Sequence, residues 1–174
     1  MPRRFAFLLG FATLLSPVVG QARNVEPGKL TVAAGLGPGF RLGDRLGGSG
    51  GYLLLMGEGE YTFSKSLSAV ADLALGLAGT KPLRLALGAR YRLPDLDLPV
   101  SPYVQAQLTL GRLYGVLNTN VSFIGARVGA GADYMLTAQL AVGGLLGLTL
   151  ASTTGERSAF YGVIDVLAYA RYTF

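Results

Sequence analysis

The chain has 174 residues, with 26 glycines, no cysteine, no histidine, no tryptophan and only 14% charged residues, and its mean hydropathy is +0.44. That balance is too apolar for a disordered chain and too poorly charged for an ordinary water-facing surface. Without cysteine or histidine there is no disulfide frame, no thiolate or imidazole metal site and no Ser–His or Cys–His nucleophile, so no catalytic residue, cofactor or metal is expected. The 15 Lys and Arg outnumber the 10 Asp and Glu, but they are scattered singly rather than gathered into a stripe, and no nucleic-acid partner is expected.

The N-terminus comes first in chain order. Arg3 and Arg4 precede an apolar run from Phe5 to Val19, and Gly20-Gln21-Ala22 follows. A positive start, a short apolar core and a small-x-small triplet predict an export signal over 1–22, with cleavage after Ala22 or, second, after Gly20. The run is shorter than the roughly 20 apolar residues a spanning helix needs. Residues 23–174 then form one domain.

Eight stretches follow, separated by turn-forming clusters: Lys29–Phe40, Tyr52–Phe63, Leu67–Ala78, Leu83–Leu93, Val100–Leu113, Ser122–Tyr134, Gln139–Ala151 and Phe160–Phe174. Arg41–Gly51 is the longest expected loop, and Tyr114–Val121 is also read as a connection. Within the stretches the pattern has period two. In the fourth, Leu83, Leu85, Leu87, Ala89, Tyr91 and Leu93 alternate with Arg84, Ala86, Gly88, Arg90 and Arg92. In the eighth, Ile164, Val166, Ala168, Ala170, Tyr172 and Phe174 alternate with Asp165, Tyr169 and Arg171. Successive side chains on a strand point to opposite faces, so each strand has one apolar face and one polar or small face.

The polar face carries Glu58, Glu60, Asp72, Asp133 and Asp165 against Arg84, Arg90, Arg92, Arg127 and Arg171, with glycine and alanine between them and no lysine. A solvated face has no need of that much glycine. A closed interior does: buried charges must be paired, and small residues leave room for long arginines. The apolar face then meets lipid. Its aromatic residues agree, because Tyr61, Phe63, Tyr91, Tyr134, Tyr172 and Phe174 all fall at the ends of even-numbered strands, while Phe40, Tyr114 and Phe160 fall at the other rim. Two aromatic girdles around an aliphatic belt are what membrane interfaces select. Backbone groups in lipid must all be paired, so the sheet must close. The fold class expected is an eight-stranded antiparallel up-and-down transmembrane β-barrel, with a lumen just wide enough for side chains to fill.

These features resemble the small outer-membrane β-barrels of the OmpA/OmpX type. The residues that carry the resemblance are the export signal, Gly125–Leu150, Ser101-Pro102-Tyr103 and the ending Tyr169–Phe174. It implies a bacterial outer-membrane location with both termini periplasmic. It also implies that Tyr172 and Phe174, with Ala170, form the terminal tag read by the barrel-assembly machinery. Partners implied are outer-membrane lipid and that machinery, with the barrel a monomer. Barrel-borne lipid enzymes use histidine, which this chain lacks. The leading expectation is a structural, envelope-integrity barrel plugged by an arginine–carboxylate network over those ten residues; the alternative is a passive carrier or narrow channel for small hydrophobic or ionic solutes. A helical membrane protein, with Tyr134–Ser152 as its span, and a soluble lipocalin-like barrel are weaker readings. Seven of the ten charges, Asp72 among them, are expected in the half of the lumen nearer the termini, and Arg84, Arg127 and Asp165 beyond. Arg41, Arg45, Lys81, Arg112 and Arg157 are expected toward the outer rim, first as solvated loop charges and, as the alternative, as contacts to anionic lipid headgroups. The glycine series Gly35-x-Gly37-x-Gly39 reads as lumen-facing strand rather than as a phosphate loop.

Overall fold

The computed structural model describes residues 26–42, 50–78, 81–93, 98–116, 119–154 and 159–174. The expected export signal at 1–22, most of the expected 41–51 loop, Arg45 and Arg157 lie outside these residues. Eight strands follow one another: β1 (Leu30–Leu42), β2 (Gly50–Thr62), β3 (Leu67–Ala78), β4 (Lys81–Arg92), β5 (Ser101–Val116), β6 (Thr119–Met135), β7 (Leu140–Thr154) and β8 (Phe160–Thr173). Each pairs antiparallel with the next, and β8 returns to β1, so the sheet closes into a barrel without free edges. Closure supplies every strand with two neighbours, the condition for burying a sheet in hydrocarbon.

Alternation decides which residues face where. Along β1, Leu30, Val32, Leu36, Phe40 and Leu42 are exposed while Thr31, Ala33, Gly35 and Arg41 are buried. The inversion holds around the barrel: Leu108 is 76% exposed, whereas Arg90, Arg127, Asp133 and Asp165 are 0% exposed. A water-soluble barrel shows the reverse arrangement.

Strand limits differ from the expected ones mainly at the rim away from the termini. β4 begins at Lys81 rather than Leu83, and the β5–β6 ladder runs on to Val116 opposite Thr119, through a register shift beyond Leu113. Most of the expected 114–121 connection is therefore strand. Tyr114, Val116, Thr119 and Val121 are aromatic or β-branched and favour the extended ladder over a loop. In β1, Pro38 has no N–H to donate, and the ladder to β8 skips Gly37 and Pro38 before resuming at Gly39 opposite Asp165.

The lumen is not polar throughout. Leu54, Met56, Leu145 and Leu167 point inward and are almost fully buried, with Leu113, Phe123 and Val163 near the outer mouth. These fill the space beside the arginine stems.

Candidate functional site

The ten charged residues singled out from the sequence all stand inside the barrel and are buried. They come from β2, β3, β4, β6 and β8, and they meet because period-two alternation sends each to the same side of the sheet. They divide into two tiers.

The tier nearer the termini joins Arg90, Arg92 and Arg171 to Glu58, Glu60 and Asp133. Arg90 donates from Nη2 to Glu58 Oε2 at 2.6 Å and from Nη1 to Glu60 Oε2 at 2.7 Å. Arg171 spans the lumen, reaching Glu58 Oε1 at 2.9 Å, Glu60 Oε2 at 3.1 Å and Asp133 Oδ2 at 2.9 Å. Arg92 pairs with both oxygens of Glu60 and donates to Ser68 Oγ at 2.9 Å. The outer tier joins Arg84 and Arg127 to Asp72 and Asp165. Arg84 bridges the two aspartates, at 3.3 Å to Asp72 Oδ1 and 3.2 Å to Asp165 Oδ1, and Arg127 closes on Asp165 Oδ2.

Asp72 stands at the height expected from its place along the strand, yet it bonds to the outer tier. It lies directly opposite Glu58 in the β2–β3 ladder. Two like charges facing each other across a ladder repel, and Asp72 instead takes Arg84 and the Gln107 amide, which donates from Nε2 to Asp72 Oδ2 at 2.6 Å.

Sequence reasoning missed the uncharged members. Arg90 donates to Gln105 Oε1, Gln105 Nε2 donates to Gln107 Oε1 at 3.0 Å, and Arg127 Nη1 donates to the same Gln107 oxygen at 3.0 Å. The two β5 amides therefore tie one tier to the other. Tyr103 lies under Arg90, with the guanidinium 4.2 Å from the ring centroid, and its hydroxyl donates to Tyr169 Oη at 2.9 Å. Tyr169 in turn donates to Asp133 Oδ1 at 2.7 Å. A signal was present: Tyr103, Gln105, Gln107 and Thr109 alternate with Val104, Ala106 and Leu108, which marks them as inward-facing.

Gly147 makes room for the outer tier. A Cβ there would collide with Arg127 Nη2 and Asp165 Oδ2. Above that pair a small cavity of about 20 Å³ is lined by Arg41, Tyr52, Arg84, Phe123 and Thr149, among others, room for about one water. Thr149 Oγ1 and Arg84 Nε are buried without a hydrogen-bond partner among the described residues. Arg41 faces this cavity, not the lipid, because Phe40 and Leu42 take the outward positions beside it.

Of the expected girdle, Tyr61, Phe63, Tyr91, Tyr172 and Phe174 are exposed on the outer surface, and Tyr134 is half-buried. Tyr61 and Phe63 meet edge to face with centroids 5.3 Å apart, as do Tyr172 and Phe174 at 5.1 Å. Tyr172 also donates to Gln139 Oε1 at 3.0 Å.

Among the described residues no group of His, Cys, Asp or Glu is placed to hold a metal ion, and every carboxylate of the lumen is engaged by arginine.

A family profile described as outer membrane protein beta-barrel domain matches residues 11–160. Comparison with curated proteins finds no match. The fold is similar to that of Neisserial surface protein A, with a TM-score of 0.68 at 19% identity over 84% of this chain and 99% of that one. It is similar to the N-terminal β-barrel domain of Pseudomonas aeruginosa OprF, with a TM-score of 0.63 at 16% identity over 85% and 98% of the two chains. Ail, the attachment invasion locus protein of Yersinia pestis, gives a TM-score of 0.57 at 13% identity over 86% and 100%. At these identities the likeness is one of fold.

Proposed function

The chain belongs to the outer membrane protein beta-barrel domain family, and on that premise we propose that it is a non-enzymatic structural barrel whose lumen is closed by its own ion pairs. The observation that supports this most is the two-tier network itself. Arg90, Arg127 and Arg171 are fully buried and cross the lumen at two depths, and the Gln105–Gln107 link joins the tiers. A desolvated ion pair is weak evidence for stability alone, but it penalises every register that leaves one partner unpaired. The network is read here as fixing register and blocking passage, with outer-membrane lipid as the barrel's partner, the assembly machinery needed only during biogenesis, and the working unit a monomer. The start of β1 and the end of β8 share one rim, which we assign to the periplasmic side.

Two measurements test this. In an outer-membrane fraction the unboiled protein should migrate differently from the boiled protein on SDS gels, because a closed barrel resists the detergent until heated. Reconstituted in planar bilayers, the wild-type protein should give no unitary current steps. Steady steps that disappear in Asp165→Asn would replace the closed lumen with the second reading, a narrow channel. The feature that favours that reading is the cavity beneath the outer mouth, where Thr149 Oγ1 and Arg84 Nε lack partners among the described residues.

A further inference from the structure

Among the described residues, the rim of the barrel away from the termini carries a charged sector on its lipid-facing surface. On β4 and β5, Lys81 stands opposite Tyr114 and Arg112 opposite Leu83, so the two cations are diagonal neighbours on the same face, roughly 7–8 Å apart at the backbone. Both are exposed. On the following strands Ser122 lies opposite Arg112, and Thr154 lies opposite Ser122. Elsewhere at this rim the outward residues that are described are apolar: Phe40, Leu42, Leu53, Leu77 and Phe160 are all exposed. Among the described residues neither Lys81 nor Arg112 has an ion-pair or hydrogen-bond partner for its side chain, whereas Lys29 at the opposite rim is paired with Glu26.

We propose that this sector of β4–β7 binds the phosphate-bearing headgroup of a membrane lipid. The ammonium and guanidinium converge on one phosphate from two adjacent strands, and the Ser122 hydroxyl donates to it from a third. Directly toward the midplane, Leu85, Leu110 and Ile124 form the exposed apolar wall that its acyl chains cover. A lipid satisfies both halves of this surface at once, since the cations border hydrocarbon-facing leucines with no intervening polar shelf. Long basic side chains at such a border extend their charge to the headgroup level while their stems stay in the apolar layer. The inference requires the membrane-spanning barrel but not the closed lumen, so a conducting wild-type protein leaves it standing.

The test uses the whole protein in detergent micelles doped with phosphatidic acid, a phosphomonoester lipid, or with phosphatidylcholine, and native mass spectrometry to count retained lipids. The wild type should retain phosphatidic acid in preference. In K81A/R112A that preference should fall about thirtyfold, the loss expected for two cations near a charged lipid surface, while K29A/K65A at the opposite rim should keep it. The gel mobility shift on heating shows whether each variant still folds. Equal loss in both variants, no loss in either, or full displacement of the lipid by inorganic phosphate alone would overturn the proposal.

Discussion

Replacing Arg90 by alanine is expected to lower the unfolding free energy by about 3–5 kcal/mol, the range for removing one partner from a buried charge pair. Arg90 holds Glu58 and Glu60 together, caps Gln105 and stacks on Tyr103. Its loss leaves Glu58 with Arg171 alone among the charged partners, in a lumen where both carboxylates are nearly sealed from water. R90M/E58Q, which removes the charge together with its nearest opposite, should recover part of the loss, because the cost lies in the orphaned carboxylate more than in the missing attraction. Urea unfolding in lipid vesicles, followed by circular dichroism and by gel mobility, gives the comparison. A change below about 1 kcal/mol in Arg90→Ala would mean that water reaches Glu58 and Glu60 freely, and the blocked lumen would have to be abandoned.

The second large effect is expected from Gly147→Leu. Gly147 is directly opposite Asp165 in the β7–β8 ladder and faces the Arg127 guanidinium. A leucine there drives Arg127 from Asp165, so overpacking of about 1–3 kcal/mol is added to the cost of a broken buried pair. The variant should unfold at clearly lower urea, or fail to show the heat-dependent gel shift. Gly57→Leu is the matching control. That glycine faces outward with nothing within 4 Å of a built Cβ, and leucine adds apolar surface to a lipid-facing position, so folding should persist. Equal behaviour of the two variants would show that glycine content, rather than the space reserved for Arg127, matters at Gly147.

Much of the architecture was legible because a barrel in lipid has simple rules. Every side chain on a strand chooses between two environments, and Arg84 between Leu83 and Leu85 leaves no doubt about its side. What period two does not encode is distance across the lumen. Asp72 and Glu58 both read as inward acids, yet only the ladder register shows them face to face and sends Asp72 to the other tier. Gln105 and Gln107 are inward by the same rule as the charges, but a search for charge passes over amides. Arg41 reads as an outer-rim charge from its place near a loop, although its parity points inward. Asn118, Thr119 and Asn120 read as a turn and shorten the expected β5–β6 hairpin, while the surrounding Tyr114, Val116 and Val121 suit the longer ladder.

The ladders and the ion pairs differ in how far along the chain they reach. Seven of the eight ladders join consecutive strands, and only β1–β8 unites the two ends. The ladders can therefore zip up hairpin by hairpin at modest loop-closure cost. The bonds from Arg171 to Glu58 and Glu60 join residues 113 and 111 positions apart. They form only when the last strand meets the first half of the barrel. Until then Arg171 gains nothing from them, whereas Arg84–Asp72 and Arg90–Glu58 join residues only 12 and 32 positions apart and form within the first half. The final, slow, non-local event is thus the one that seats Arg171 against Glu58 and Glu60, which makes this one side chain a latch on ring closure.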